Sequence, residues 1–521
     1  MSETLIVAVD AGTSVIKAMA FDAEGAIVAA TGQLNRYQNR PGGGVEQDMA
    51  QTWADTATAL AALGERVPAL ARRAVALAVT GQGDGTWLVD RAGEPVAPAW
   101  LWLDSRAAGI VAEFDNSGVR RAIFRHTGSG LNACNQSSQM VWLDRHAPAV
   151  LDRAATGQHC KDWLYFKLTG ERVTDPSEGI FTFGNFRSRC YEGEVLDRLG
   201  LAHRRHLLPA MVDGSRTTHP LSAAGARAIG LPQGLPVSLG YVDVVCTALG
   251  VGLYEPGRAL GCSIVGSTGV HMRFVADGKQ LALPEEPGGY TMTLPIPGAV
   301  SQMHTNMAAT LNIDWIVDAG REAAALLGRS VDRRTALAAF DAEVLRAPAG
   351  QALFHPYIHE AGERGPFVNA QARAQFTGLS SRVGFTGLVR AVYEGLGLAA
   401  LDCYRAVGHA PEEVRIAGGA ARSPALKQIL ASVLGVPVRE SSREEAGAAG
   451  AAMIASVAIG ALPDFAAATA RWVAPTLGEA VRPDPELQAL YQRLYPIYVE
   501  GRRLSPPLWA ALAEARTGSL A

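Results

Sequence analysis

The stretch Gly240-Tyr-Val-Asp243-Val-Val-Cys-Thr-Ala-Leu-Gly250 joins a short strand to a helix. The apolar run Pro236-Val-Ser-Leu-Gly240 before it is typical of a buried strand, and the small apolar residues after Asp243 predict the helix. An acid at this junction lies near the positive end of the helix dipole. Aspartate at a helix start is commonly an N-cap, so this stretch alone leaves the role of Asp243 open.

Working outward, two strand–turn–strand hairpins lie about 256 residues apart, one in each half of the chain. The first contains the turn Asp10-Ala-Gly-Thr-Ser14 and the second contains Gly266-Ser-Thr-Gly269. Their similarity predicts an internal duplication of fold. A third glycine turn, Gly418-Gly419, lies between a strand over 414–417 and a helix over 423–434. Strands that alternate with helices in this way predict an α/β fold with mixed sheets.

Length and composition limit the classes of protein that fit. A chain of 521 residues has room for two to four domains at about 150 residues each. The net charge of −3 and the scattered basic pairs exclude a nucleic-acid-binding surface, so we expect no nucleic-acid partner. Six irregularly spaced cysteines, without a CxxC pair, predict a reduced, cytoplasmic protein.

No segment is expected to direct the protein to a membrane. The N-terminus lacks a basic region before its first strand, so we predict no signal peptide. The uncharged run over 446–463 consists mainly of alanine and glycine, which favours a buried helix over a membrane span.

The glycine turns predict an anionic ligand. In Asp10-Ala-Gly-Thr13, backbone amides and a hydroxyl can hold a phosphate, and Asp10 can hold Mg²⁺ through water. A type I turn with an Asx hydrogen bond is the alternative for this turn taken alone. Gly418-Gly419 before a helix suits a flat or anionic ligand. With Asp243 as a base, the set predicts phosphoryl transfer, although no Rossmann or Walker motif is present.

Several spaced motifs then appear in a fixed order along nearly the whole chain. They are Asp10-Ala-Gly-Thr-Ser14, Trp102-Leu-Asp-Ser-Arg106, Lys161-Asp-Trp-Leu-Tyr-Phe-Lys-Leu-Thr-Gly170 with Thr174-Asp175, Gly240-Tyr-Val-Asp243, Gly362-Glu-Arg364, Arg390-Ala-Val-Tyr-Glu-Gly395 and Ile416-Ala-Gly-Gly-Ala-Ala-Arg-Ser423. In this order they resemble the FGGY carbohydrate kinases of the actin-like ATPase superfamily. The resemblance implies an α/β protein with two ribonuclease-H-like domains and an interdomain cleft.

The resemblance also implies a division of labour and a set of ligand contacts. Residues 1–252 would supply the substrate site and the base, and residues 253–521 the nucleotide site, with a helical segment from about residue 475. ATP and Mg²⁺ are the implied cofactors, with Asp243 as catalytic base and Asp10 at the metal. The implied nucleotide and phosphate contacts are Gly12, Thr13, Ser14, Gly266, Ser267, Thr268, Gly269, Gly418, Gly419 and Ser423.

The substrate side departs from other members of the family. Gly83-Asp84 stands where xylulokinase-like members carry Met-His and glycerol kinases carry Arg-Glu nearby, and Gln139 stands in the place of a lysine. The expected substrate contacts are Gly83, Asp84, Trp87, Asp104, Arg106, Asn135 and Gln136. For Asp104 and Arg106, a salt bridge that braces the strand end is an equal alternative.

Four further stretches refine the resemblance toward members that act on erythritol. They are Gln82-Gly-Asp-Gly-Thr-Trp87, Cys160-Lys-Asp-Trp-Leu164, Phe181-Thr-Phe-Gly-Asn-Phe186 and Val265-Gly-Ser-Thr-Gly-Val-His-Met272. The implied reaction is ATP-dependent phosphorylation of a small polyol, erythritol, to erythritol 4-phosphate.

Three other functions stay open at this point: a xylulokinase-like kinase of a pentulose or another sugar, a non-catalytic actin-like nucleotide sensor, and a glycosidase with paired carboxylates. The sensor predicts loss of the base, yet Asp243 is present. The expected partner is a small polyol or sugar, and a homodimer is left open. His203 and His206 have metal-like spacing, but no acid or cysteine completes a site, so we expect a solvated surface there.

Overall fold

A computed structural model describes residues 4–408 and 411–517. Within these ranges the chain forms two compact units. The first comprises the chain up to Pro256 together with Val275–Ser301 and Arg443–Thr476, and the second comprises Gly257–Phe274, Gln302–Ser442 and the chain from Leu477. The chain thus returns twice to the first unit. The predicted domain limits, 1–252 and 253–521, give each domain one continuous segment, and they stay a prediction.

The first unit contains a six-stranded sheet. Its order is Thr218–Pro220, Pro236–Leu239, Ala74–Gly81, Leu5–Ala11, Val15–Phe21 and Ile27–Leu34. Leu5–Ala11 pairs antiparallel with Val15–Phe21 and parallel with Ala74–Gly81, which is also parallel to Pro236–Leu239. Three of these strands, Leu5–Ala11, Ala74–Gly81 and Pro236–Leu239, are parallel to one another. Because the carboxyl ends of parallel strands meet at one edge, the segments that follow these three strands emerge on the same side of the sheet.

The second unit repeats this pattern. Six strands of its sheet follow in the order Val300–Asn306, Gly269–Val275, Leu260–Val265, Glu413–Ala417, Val438–Ser441 and Leu477–Val481. Leu260–Val265 pairs antiparallel with Gly269–Val275 and parallel with Glu413–Ala417, and the last strand is again antiparallel to its neighbour. The predicted internal duplication of fold is confirmed by these pairings.

Helices surround the sheets. The longer helices of the first unit are Met49–Arg66, Ala108–Asn116, Val119–Thr127, Gln136–His146, Cys160–Thr169, Pro176–Phe183, Asp243–Val251 and Ala446–Ala458. Those of the second unit are Thr310–Leu326, Arg333–Val344, Phe385–Ala406, Pro424–Leu434, Pro485–Leu504 and Pro506–Thr517. In the described part of the chain, no helix has the length and apolar character that crossing a membrane requires. The predicted buried helix at residue 446 is confirmed, since most of Ala446–Ala458 is buried.

Two helices of the first unit cross at unusually short range. Asp243–Val251 packs on Ala446–Ala458, and glycines occupy the crossing on both sides. A Cβ atom at Gly250 would overlap the backbone of Ala446, and one at Gly450 would overlap the carbonyl oxygen of Cys246. Because glycine lacks that atom, the two backbones come into contact, which fixes the helix that begins at Asp243.

Two glycine substitutions, one at this crossing and one in another helix, should have opposite effects on the free energy of unfolding. Gly450→Ala should lower the free energy of unfolding by about 1–3 kcal/mol, because the added methyl group overpacks the contact with Cys246. Gly64 lies in the helix Met49–Arg66, and no neighbouring atom lies within 4 Å of the position that a Cβ atom would take there. Gly64→Ala should therefore raise the free energy of unfolding by roughly 0.5–1 kcal/mol. Denaturant unfolding of both proteins measures the difference. A Gly450→Ala protein as stable as the Gly64→Ala protein contradicts the close crossing.

Candidate active site

Two carboxylates lie at the edge of the first sheet. Asp10 is next to last in its strand, and Asp243 opens the helix that follows Pro236–Leu239. Burial, followed by the negative charge of Asp10, raises the pKa of Asp243 to about 8. Burial, followed by the charge of Glu445, raises the pKa of Asp10 to about 6. This repulsion means that Asp10 and Asp243 share one site, and a ligand that brings positive charge or a proton-donating hydroxyl would relieve it.

The turn after Asp10 is held by side chains from three other segments. The Thr13 hydroxyl donates to Gln82 Oε1 at 3.1 Å and accepts from Trp102 Nε1 at 2.7 Å. Asn35 donates its amide to the Gly12 carbonyl at 2.8 Å. Ser14 is exposed. The predicted phosphate turn is therefore braced on its inner side, and the contact with Trp102 carries no signal in the sequence.

The expected substrate residues Gly83, Asp84 and Asn135 come together in the structure. Asp84 has a left-handed backbone with φ of 55°, and its Oδ1 accepts the side-chain amide of Asn135 at 2.8 Å. The Asp84 N–H donates to Glu178 Oε1 at 3.2 Å. A Cβ atom at Gly83 would overlap both Val242 and Glu178. Glycine at position 83 therefore lets Val242 and Glu178 lie directly against the turn.

Gln136 and Trp87 are engaged elsewhere. Gln136 donates its side-chain amide to the backbone carbonyl of Gln158 at 2.8 Å. Trp87 has no exposed surface and belongs to the main hydrophobic core of the first unit. These contacts hold the fold, and the expected substrate roles of both residues stay predictions.

Asp104 and Arg106 form the brace that was one of the two alternatives. Asp104 is 1% exposed, and its Oδ2 accepts the Val45 N–H at 2.8 Å and lies 2.6 Å from Arg106 Nη2. Arg106 also contacts Glu46 at 3.0 Å and lies 3.4 Å above the ring of Trp100. The pair ties the strand end to its neighbours, and a direct contact with substrate stays a prediction.

A group of buried charges near Asp84 has no counterpart among the expected site residues. His159, Lys161, Asp162, Asp175 and Glu178 are each at most 2% exposed. Burial opposes ionisation of Asp162, yet Lys161 lowers the pKa of that carboxyl to about 2, and burial raises the pKa of Glu178 to about 7. The motifs Lys161-Asp-Trp and Thr174-Asp175 contain part of this group. A sequence alone does not distinguish a buried charged residue from one exposed to solvent, so the group was not predicted.

In the second unit, two glycine turns follow neighbouring parallel strands. The Gly266 N–H donates to the Thr268 carbonyl at 3.0 Å, and the Gly266 and Ser267 carbonyls accept the N–H groups of Thr310 and Ala309. Gly418 has φ of 92°, and a Cβ atom there would overlap the backbone of Val265. The turns at Gly266–Gly269 and Gly418–Gly419 thus lie side by side at one edge of the sheet.

Ser423 serves as the N-cap of the helix Pro424–Leu434. Its Oγ accepts the Leu426 N–H at 2.9 Å and donates to the carboxylate of Asp341. Gly419 is exposed one turn before this helix. The helix start therefore has the form of an anion or nucleotide site, while the contact of Ser423 with a nucleotide stays a prediction.

The residues of the site suit a magnesium ion that is held by one carboxylate together with water and substrate phosphates. Among the described residues, no group of three or more histidine, cysteine, aspartate or glutamate side chains could hold a metal ion. Mg²⁺ is commonly held by one or two carboxylates with water and substrate phosphates, and Asp10 suits that role. A Cβ atom at Gly447 would overlap Asp10 Oδ2, so glycine at this position lets the carboxylate lie directly against the helix Ala446–Ala458.

Histidines elsewhere have structural partners. His203 Nε2 lies 3.1 Å from Asp144 on the surface, as expected for a solvated side chain. The buried His355 contacts the Tyr498 carbonyl through Nε2 at 2.9 Å.

Glu363 accepts backbone N–H groups from Met307, Arg364 and Gly365 and so fixes the turn of the Gly362-Glu-Arg364 motif.

The two related sheets give the class of fold, and the comparisons identify it as that of carbohydrate kinases. The FGGY family of carbohydrate kinases matches with its N-terminal domain over residues 5–250 and with its C-terminal domain over residues 262–459. The chain therefore belongs to the FGGY family of carbohydrate kinases. The expected α/β fold with two ribonuclease-H-like domains is confirmed.

Individual relatives match over most of their length. An erythritol kinase of Brucella abortus (strain 2308) is 51% identical over 514 residues, 98% of each chain. A xylulose kinase of Escherichia coli (strain K12) is 30% identical over 460 residues, which cover 87% of this chain and 90% of the relative. A solved xylulose kinase of Rhodospirillum rubrum superposes with a TM-score of 0.85 at 27% identity and covers 97% of this chain and 100% of that one.

Proposed function

We propose that the protein transfers the terminal phosphoryl group of ATP to erythritol and yields erythritol 4-phosphate. The observation that carries the proposal is the contact between Asp84 and Asn135, two positions that the sequence assigned to the substrate and that lie 2.8 Å apart. The 51% identity to an erythritol kinase over 98% of both chains supports the same substrate.

Asp243 acts as the base. Its position at the start of a helix holds the carboxylate at the sheet edge, where an ionised form can take the proton from the attacking hydroxyl. The close crossing at Gly250 and Gly450 keeps this helix from shifting along its partner. The protein therefore supplies a base whose position is set by packing.

The residues that would hold MgATP divide between the two units. In the first unit Asp10, Gly12, Thr13 and Ser14 form the turn at the sheet edge. In the second unit they are Gly266, Ser267, Thr268, Gly269, Gly418, Gly419 and Ser423. When bound, MgATP supplies the phosphoryl group and positive charge beside it. The chain's own part is to bind and orient the phosphates through backbone N–H groups. The Thr13 and Ser423 hydroxyls would join them by exchanging their hydrogen bonds to Gln82 and Asp341 for bonds to phosphate oxygens.

Asp84 sets the chemistry of the substrate. An ionised carboxylate only accepts hydrogen bonds, so it favours ligand hydroxyl groups over a carboxylate or a phosphate. Asn135 already donates to one oxygen of Asp84, and its amide oxygen accepts the Asn132 N–H at 2.6 Å, so one lone pair of that oxygen and one amide hydrogen remain for a ligand. A neutral polyol with adjacent hydroxyls suits this pair, because every buried hydroxyl needs a partner. Since none of the six cysteines, all of which lie in the described ranges, forms a disulfide, we also propose a reduced, cytoplasmic setting.

A panel of polyols and ketoses tests the substrate. We expect erythritol to give the highest kcat/KM in a coupled ADP assay, well above glycerol and D-xylulose. Asp84→Ala should lower kcat/KM for erythritol by about 10–100-fold, because hydroxyl groups left without a partner cost about 1–3 kcal/mol each. The KM for ATP should change little.

A matched control separates recognition from general damage. Glu113 forms an exposed ion pair with Arg145, and Glu113→Gln should leave all constants unchanged. Faster phosphorylation of D-xylulose or another ketose than of erythritol by the wild-type protein contradicts the proposed substrate and favours the pentulose alternative. Absence of ADP release with every polyol and sugar would instead favour the sensor.

A further inference from the structure

A line of buried polar side chains joins the Asp84 turn to the start of the Asp243 helix. At one end Glu178 Oε1 accepts the Asp84 N–H at 3.2 Å, and Glu178 Oε2 lies 3.4 Å from His159 Nε2. His159 Nδ1 lies 3.1 Å from Asp162. Each of these side chains is at most 2% exposed or, in the case of Asp84, half-buried. The polyol-recognising turn is therefore anchored to charges in the protein interior.

The same line continues to the base. Lys161 Nζ lies 2.7 Å from Asp162 and 2.5 Å from Asp175. Ser177 donates its hydroxyl to Asp175 and accepts the Val242 N–H at 3.1 Å, one residue before Asp243. One connected network thus touches the backbone of both the substrate turn and the base segment.

Glu178 is the member of this network that meets the substrate turn. It lies on the helix Pro176–Phe183 and has no exposed surface. The Asp84 backbone is in the left-handed region, which is uncommon for a residue other than glycine and persists only when its surroundings hold it there. Gly83 lacks the Cβ atom that would displace Glu178 Oε1, so the turn and the glutamate fit each other.

We propose that Glu178 is a positioning residue for the polyol: it holds the Asp84 backbone so that the Asp84 carboxylate and Asn135 meet the substrate hydroxyls together. The proposal rests on the proposed function, since it deepens the account of the same site. Glu178 acts through its hydrogen bond to the Asp84 N–H. Having no exposed surface, it touches neither the polyol nor the nucleotide.

This role depends on reach and not on charge, which two conservative substitutions distinguish. Glu178→Gln keeps the length of the side chain and an oxygen that can accept the Asp84 N–H. Glu178→Asp keeps the carboxylate but shortens the side chain by one methylene group, so the 3.2 Å contact is lost. If charge were what matters, the aspartate variant would be the milder of the two.

The experiment measures both variants with the polyol that the wild-type protein uses best. We expect Glu178→Gln to keep the KM for that polyol within about threefold. Glu178→Asp should raise it at least about tenfold, which corresponds to one buried N–H left without a partner. In both variants kcat should fall less than KM rises, and the KM for ATP should stay unchanged. Thermal unfolding of each variant shows that the comparison is made on folded protein.

Several results overturn the proposal. They are a milder effect of the aspartate than of the glutamine variant, an unchanged polyol KM in both variants, and a loss confined to kcat. If Glu178→Asp does not fold, Gly83→Ala decides, because its added methyl group would displace Glu178 Oε1 together with the Val242 side chain and should raise the polyol KM. An unchanged KM there also overturns the proposal.

The proposed substrate fails separately from Glu178. The wild-type panel alone decides whether erythritol is the preferred polyol. If another polyol wins, the erythritol proposal is wrong, and the comparison of Glu178→Gln with Glu178→Asp is then made with the winner. The two outcomes are therefore read from different proteins.

Discussion

An Asp243→Asn protein is expected to bind ATP normally and to turn over about 10²–10⁴ times more slowly. Asparagine matches the size of aspartate and can still occupy the first position of the helix Asp243–Val251, so the fold should persist. It cannot accept the proton of the attacking hydroxyl, and positioning and charge neutralisation alone remain. Steady-state ADP release with erythritol, together with calorimetric titration of ATP, measures both parts of the prediction.

The pH profile provides the control for that result. Burial and the charge of Asp10 raise the pKa of Asp243 to about 8, so the base is protonated, and inactive, below that pH. The kcat/KM of the wild-type protein should therefore rise as the pH increases from 6 toward 8. Asp243→Asn should lose the part of this rise that is centred near pH 8, whereas Asp10 and Glu178, with pKa values of about 6 and about 7, titrate in both proteins. A mutant with near-normal turnover, or one with the same rising limb, removes Asp243 from the mechanism.

The second large effect is expected at Asp10. Asp10→Ala should raise the Mg²⁺ concentration for half-maximal activity at least about tenfold and lower turnover at every Mg²⁺ concentration. The reason is that Asp10 is the carboxylate at the end of its strand, next to the Thr13 turn that is proposed to contact the phosphates. A titration of activity against Mg²⁺ at fixed ATP measures the shift.

Asp48 offers a matched control in the same unit. It caps the helix Met49–Arg66 by accepting the Gln51 N–H at 3.0 Å. Asp48→Ala should lower the free energy of unfolding by about 1 kcal/mol and leave the Mg²⁺ titration unchanged. If Asp10→Ala shows an unchanged titration, or if Asp48→Ala shifts it equally, Asp10 does not hold the metal.

Local patterns in the sequence predicted the elements of the two sheets well. The hairpin predicted around Asp10–Ser14 is observed as the strands Leu5–Ala11 and Val15–Phe21, because a short apolar run ended by a glycine turn has few other solutions. Where a helical segment was predicted from about residue 475, the chain first forms the strand Leu477–Val481, and the helix Pro485–Leu504, which contains Pro496, follows it. Burial of Tyr491 and Tyr498 against the core outweighs the missing hydrogen bond at the proline.

The site was only partly predictable. Asp84 and Asn135 lie far apart in the chain, and the resemblance to a family placed both at the substrate, which the contact between them supports. The Glu178 network escaped prediction because its link to the substrate turn, the hydrogen bond from the Asp84 N–H to Glu178, spans 94 residues of sequence. A sequence shows a charge but not the partner that permits its burial.

The helix Ala446–Ala458 has a consequence for how the protein is made. It packs against the helix that carries Asp243, yet a ribosome adds it roughly 200 residues later. Until then the small-residue face around Gly250 lacks the helix that packs on it. The first unit therefore cannot complete its packing until a segment near the end of the chain has been synthesised. Contacts so distant in sequence slow folding, since a long loop must close before they form. A nascent chain released after its first 256 residues would lack this covering helix, so the base segment matures only when translation is almost finished.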